Sequence, residues 1–130
     1  MKYVILIHSN PQPWGHPTPD FTEEGRALPK ERRDEMNRDF DALLKEISDS
    51  GELVTAEALA EPATSTVYTW GPSGHLASDG PYAEAKEQLA GFFLIDCATR
   101  ERAEQIAAQF ASPGDTIELR PVWEFDDAAS

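Results

Sequence analysis

Cysteine is almost absent from this chain. Cys97 stands alone, so no internal disulfide can form, and no Cys/His cluster has the spacing of a structural zinc site. Lying at the end of an apolar run, Cys97 reads as a small core residue, with a reactive thiol as the alternative. Basic residues are scarce as well. Against 24 Asp and Glu there are 11 Lys and Arg, and the formal net charge of −13 opposes the counterion-release binding that basic patches give on phosphate backbones. No nucleic-acid partner is therefore expected. Long apolar runs are missing too: Tyr3 to Ile7 is too short for a signal-peptide core, and no run approaches the roughly 18 residues of a membrane span. That leads to the expectation of a cytoplasmic protein with no membrane partner. There is no internal repeat, no P-loop, no G-x-G-x-x-G turn and no catalytic serine motif, and the glycines from Gly71 to Gly80 are spaced as turns.

What remains is a chain of 130 residues, enough for one domain spanning 1–130 with a single modest core. Lys2 to His8 reads as a strand that is apolar on both sides, Tyr3, Ile5 and Ile7 alternating with Val4 and Leu6, and His8 falls on the Val4 side. A strand apolar on both sides belongs in the middle of a sheet. Residues 9–20 hold Pro11, Pro13, Pro17, Pro19 and Gly15, which excludes regular structure and makes a loop or lid. Within it, Trp14 either packs the loop onto the body or closes over a ligand, and one of Trp14 and His16 is expected near Asp79.

From Pro29 to about Ser50 the pattern becomes helical, with Met36, Phe40, Leu43, Leu44 and Ile47 on one stripe and Gly51 just past the end. The charges from Lys30 to Asp39 form its solvated face. Strands are predicted at Leu53 to Leu59 and Thr66 to Trp70, with His75 to Ser78 pairing back across the Gly71-Pro72-Ser73-Gly74 turn. The run from Phe92 to Ile95 has the composition of a buried strand. Ala103, Ile106, Ala107 and Phe110 then lie at i, i+3, i+4 and i+7, a second helix with Thr99 as its N-cap. Thr116 to Trp123 is the last strand, Pro121 fitting an edge or an end, and residues 124–130 are an acidic tail. The order predicts an α+β domain with two helices on one face of an antiparallel sheet, the ferredoxin-like layout. Its other face, apolar on the Tyr3 and Phe92 strands, calls for a second layer.

The stretch from Ser78 to Asp96 carries a more specific signal. Asp79-Gly80-Pro81-Tyr82 followed by Glu84-Ala85-Lys86-Glu87-Gln88-Leu89 resembles the DGPF-domain branch of the YCII-related family, with Tyr82 in place of Phe. The opening Met1-Lys2-Tyr3-Val4, Gly51-Glu52-Leu53-Val54 with Leu59, and the closing Glu118-Leu119-Arg120-Pro121-Val122 extend the resemblance over most of the chain. It implies a dimeric α+β barrel, so the chain is expected to be its own partner in a homodimer. Some members of the family carry a His and Asp pair with the histidine on the first helix. This chain has no histidine between Pro29 and Ser50, and Phe40 lies near the matching place, so that dyad does not carry over intact. The resemblance also brings an association of DGPF-type proteins with sigma-factor regulation.

The residues that could carry chemistry follow from these placements. Asp79 opens a turn beside Gly80 and Pro81, where its carboxylate either caps backbone N–H groups or serves as a general acid or base. Glu84 and Glu87, close in sequence, would raise a carboxyl pKa if they converge on it, while Lys86 would counter them. His8, at a strand end, is the histidine best placed to shuttle a proton; a satisfied histidine at the sheet rim is the alternative. On the last strand Glu118 and Arg120 share the side away from the helices, where Arg120 either binds an anionic substrate or pairs with Glu118 or Glu57. The expected catalytic residues are thus Asp79 and His8, and the expected ligand-binding residues are Tyr82, Glu84, Lys86, Arg120 and Trp14. The expected function is binding of a small molecule in a cleft between sheet and loops, with proton-transfer chemistry that needs neither cofactor nor metal. The rival is a non-catalytic regulatory or interaction protein with a protein partner.

Overall fold

The two-sided first strand governs the architecture. β1 (Lys2–Ser9) turns Tyr3, Ile5, Ile7 and Ser9 to one side, where all are buried, and Val4, Leu6 and His8 to the other, where each is half-buried. The structure is a computed structural model and describes residues 1–15 and 18–124. After β1 come a 3-10 turn at Pro19–Phe21, a short helix α1 (Glu23–Arg26), the long helix α2 (Lys30–Asp49) and β2 (Leu53–Ala58). A hairpin of β3 (Thr66–Gly71) and β4 (Gly74–Asp79) follows, then β5 (Gln88–Asp96), α3 (Arg100–Phe110) and β6 (Thr116–Pro121).

β1 lies between β5 and β6 in an antiparallel four-stranded sheet of order β2-β5-β1-β6. With α2 and α3 as the two crossovers, this is the ferredoxin-like α+β arrangement that the element order predicts. Both helices cover the Tyr3 side. Leu43 and Ile47 of α2 and Ala103, Ile106, Ala107 and Phe110 of α3 pack with Tyr3, Ile5, Ile7 and Ile95 in one core. The small residues of α3 let it lie close on the sheet. Phe40, Phe93 and Phe110 meet edge to face at centroid distances of 6.4, 5.2 and 4.6 Å, and each such pair adds about 1 kcal/mol beyond its buried area.

Local signals end the helices where the pattern predicts. Pro29 is the N-cap of α2 rather than part of its first turn, and Gly51 follows the C-cap with φ of 82°, a conformation that only glycine adopts freely. Thr99 caps α3 by accepting a hydrogen bond from the Arg102 backbone N–H at 3.1 Å. Gly91 has a packing reason: a Cβ there would stand 2.8 Å from the Glu57 carbonyl oxygen on β2. Cys97 is buried beneath the sheet end, and desolvation raises its thiol pKa, which favours the core reading over the reactive one.

Several expectations need correction. β5 begins at Gln88, four residues before the predicted apolar run, because its first half pairs with Ser9 and His8 through a bulge. β6 stops at Pro121, which sits at the end of an edge strand where its missing N–H costs no ladder bond. The 3-10 turn and α1 have no counterpart in the predicted elements; Thr22 creates the helix start by accepting from the Gly25 N–H at 3.0 Å while donating to the Pro113 carbonyl at 2.8 Å. No hydrogen bond or ion pair between the described part of the Pro-rich loop and Asp79 accompanies the lid expectation. Its last residue is pinned to α2, where Arg33 and Asn37 both donate to the Asp20 carboxylate at 2.9 and 2.8 Å, and so Asp20 lies on the helix-covered side. Trp14 donates from its indole N–H to the Leu59 carbonyl at 2.9 Å, a packing role. The expectation for His16, and residues 125–130 of the acidic tail, lie outside the described residues.

One ion pair ties helix to helix. Arg102 of α3 donates to both carboxylate oxygens of Glu52, at 2.8 and 3.0 Å, and to Glu46 of α2 at 3.3 Å. The bond from Arg102 holds the Glu52 carboxyl below its usual range, with some opposition from desolvation. A carboxylate whose folded pKa is depressed stabilises the fold above its unfolded pKa and loses that contribution as the pH falls through the folded value. Stability measured by urea unfolding is therefore expected to fall below the ordinary glutamate range, and Glu52→Gln is expected to flatten that part of the profile. Phe110→Ala is expected to cost about 3 kcal/mol in the same assay, from lost transfer energy and a cavity among the three rings.

Candidate functional site

The sheet face opposite the helices is where charged and titratable side chains meet. Register fixes its composition: Val4 lies opposite Leu94 on β5 and Arg120 on β6, and Leu6 lies opposite Phe92 and Glu118. The centre of this face is thus apolar, with Val4, Leu6, Phe92 and Leu94, and its β6 edge is charged. No helix covers it. His8 continues the Val4 and Leu6 row to the end of β1, next to Glu118 across the strand pair.

There the His8 Nε2 and the Glu118 Oε1 are 3.3 Å apart, and Arg120 donates from Nε to the other Glu118 oxygen at 3.0 Å and again from Nη2. Glu118 is the hub. Hydrogen bonding from Arg120 first, and from His8 second, lowers its pKa, so it is ionised at neutral pH. An ionised carboxylate can only accept, so the hydrogen bond requires the proton of a neutral His8 on Nε2 and leaves the Nδ1 lone pair available as a base. Arg120 Nη1 has no partner among the described residues, which leaves it able to meet an anionic group. His8 and Glu118 are each about one-third exposed, at 32% and 37%, so a ligand on the sheet can reach them. A base oriented by a carboxylate, with a cation beside it and an apolar floor, is suited to taking a proton from a small anionic molecule.

Two of the seven expected site residues, His8 and Arg120, are therefore brought together, with Glu118 between them. The others are elsewhere. Asp79 is the last residue of β4, paired in the ladder with Thr66; its carboxylate is exposed and makes no hydrogen bond or ion pair among the described residues. Tyr82 is 89% exposed, and Glu84 is also exposed. Lys86 reaches Glu24 at 3.6 Å rather than Glu84 or Glu87. Trp14 belongs to the Leu59 contact. These residues are separated because the β3–β4 hairpin forms its own two-stranded sheet, so Asp79 pairs in that ladder and not in the four-stranded one.

Sequence reasoning also passed over Ser9 and Asp115. Ser9 donates to Asp115 at 2.6 Å and Ser112 donates to the second oxygen at 2.7 Å, on the side of the sheet away from His8. Ser9 follows Ile7 in the buried row, and a polar residue in that row was the available signal. Desolvation raises the Asp115 pKa against the pull of those two hydroxyls.

The chain is similar to known proteins over most of its length. An uncharacterised protein of Rhizobium meliloti (strain 1021) is 30% identical over 99 residues, covering 74% of this chain and 80% of the relative. The model of the YCII-related domain matches residues 1–126, a span that takes in every described residue. The chain belongs to the YCII-related domain family.

Proposed function

We propose that this protein binds a small anionic molecule on the open sheet face and transfers a proton to or from it without a cofactor. The observation that carries this reading is the His8, Glu118 and Arg120 cluster on an apolar floor. Arg120 holds the anionic group, His8 Nδ1 takes the proton, and Glu118 stabilises the imidazolium that results. Asp79, exposed at the end of β4, takes no part in this transfer. The Asp79-Gly80-Pro81-Tyr82 sequence supports a place in the DGPF branch, and a lone, buried Cys97 suits the reducing cytoplasm.

The same face supports a homodimer. Val4, Leu6, Phe92 and Leu94 are only half-buried, and a second copy laid across them would shield the apolar floor and enclose both clusters in a barrel-like cavity. A second reading, a regulatory or interaction protein, is favoured by the hairpin. Tyr68 and Trp70 are 65% and 84% exposed there, the kind of aromatic surface that protein partners cover.

Imidazole nitrogen NMR checks the cluster without knowledge of the substrate. Neutral His8 is expected in the Nε2–H form, and Glu118→Ala is expected to give a tautomer mixture; a wild-type ring in the Nδ1–H form would refute the assigned base. Ligands are found by thermal shift against small carboxylic acids, where about 100 times Kd adds about 2.7 kcal/mol. On whichever ligand turns over, His8→Gln is expected to lower the rate about 10²-fold, and Asp79→Asn to leave it nearly unchanged. Analytical ultracentrifugation is expected to show a dimer burying about 1,600 Å² or more in total, with Leu6→Arg giving a folded monomer.

A further inference from the structure

On the other side of the sheet the structure holds a cleft that the open face does not use. It has a volume of about 1080 Å³ and lies between α2, the turn at Pro19–Phe21, the β2 and β5 strands and the end of α3. That is at the upper end of the range of small-molecule sites, and the lining is of the usual kind, an apolar body with few polar groups. The edge-to-face rings of Phe40, Phe93 and Phe110 line it together with Ile7 and Met36. Two of its polar groups stand out. Thr18 Oγ1 is buried and has no hydrogen-bond partner among the described residues. Asp115 is held by the Ser9 and Ser112 hydroxyls and has no cation paired with it among the described residues.

The charge of the lining selects the occupant. Arg32 is its one basic residue among those described, and that guanidinium is already met by Glu35 at 2.9 Å. Asp39, Asp41 and Glu57 line the cleft without an ion pair among the described residues, so an anion would meet uncompensated carboxylates. An ammonium ion would meet complementary charge, the negative faces of the phenyl rings and the lone pairs of Asp115 and Thr18. An uncharged ligand would fill the apolar body and leave the carboxylate charges uncompensated.

We propose that this cleft is a binding site for a small primary amine with an aromatic or branched aliphatic body, its ammonium on Asp115 and its body against Phe40, Phe93 and Phe110. The site is separate from the His8 cluster, because Ser9 and His8 leave β1 on opposite faces of the sheet. A protein with both sites would bind the anionic and the cationic molecule independently, one on each face of the sheet.

The test compares three isosteric probes, 2-phenylethylamine, 3-phenylpropionate and 2-phenylethanol, by calorimetry and by amide NMR on the wild-type full chain. The amine is expected to bind at millimolar or lower concentration, at least about tenfold more tightly than the carboxylate or the alcohol. Amide shifts are expected at Ala90, Gly91 and Phe110 and not at Val4 or Leu6. Asp115→Asn is expected to weaken the amine about tenfold or more, and His8→Gln to leave it unchanged. Binding of none of the three, equal or tighter binding of the carboxylate, or shifts confined to the open face would overturn the proposal. The wild-type probe comparison and shift map decide the matter even if Asp115→Asn does not fold. Loss of the His8 chemistry with amine binding intact would remove the proposed function and leave this site standing.

Discussion

The position of β1 between β5 and β6 is the constraint on which the other features rest. A strand paired on both edges has no freedom of register, and its period of two fixes which side chains enter the core. A slip of one residue would send Tyr3, Ile5 and Ile7 to the open face and His8 beneath the helices. The hydrophobic gain from those buried chains, about 2 kcal/mol for each, prevents it. Pairing with β6 then brings the two ends of the chain together, so that His8 meets Glu118 and Ser9 meets Asp115. Two chemical groupings arise from one pair of adjacent residues on opposite faces.

Electrostatics follows from scarcity. With few cations available, three arginines meet carboxylates from a distant part of the chain or at the edge of the sheet: Arg33 holds Asp20, Arg102 holds Glu52 and Glu46, and Arg120 holds Glu118. The exposed i,i+4 pairs along α2, Lys30 with Asp34 and Lys45 with Asp49, contribute only a few tenths of a kcal/mol each. Arg102 differs because its fork grips both oxygens of a carboxylate that is 18% exposed, and it joins α3 to the α2–β2 connection. Asp39, Asp41 and Glu57 are left around the helix-side cleft, and the sign of that lining is the basis of the selectivity proposed for it.

The hairpin shows how a recognisable motif and a chemical site can part company. Asp79-Gly80-Pro81-Tyr82 is the most specific stretch in the chain, yet it closes a two-stranded sheet whose aromatic side chains face outward. A two-stranded hairpin is marginal in water without a surface to lie on. Its backbone is held at the base by Gly80 N–H donating to the Ser65 carbonyl at 2.7 Å, which accounts for the turn without any role for the Asp79 charge.

Much of the fold was legible in the sequence because periodicity reports burial directly. The alternation of Tyr3 to Ile7, the Met36 to Ile47 stripe, the Ala103 to Phe110 stripe and the Thr99 and Gly51 signals determined the main elements, the two-helix face and the side on which Glu118 and Arg120 lie. Residues close in sequence, by contrast, were a poor guide to the site. Glu84, Lys86 and Asp79 are neighbours in the chain, but nothing local says whether a hairpin joins the main sheet, and tertiary pairing left it apart. The Pro-rich loop carried no periodic signal at all, and its direction was decided by Asp20 finding Arg33 and Asn37 on α2. Likewise the bond from Ser9 to Asp115 spans most of the chain. The sequence determined what each segment buries, since that depends on local spacing; only the tertiary structure decided which polar groups meet, since that depends on strand order and register.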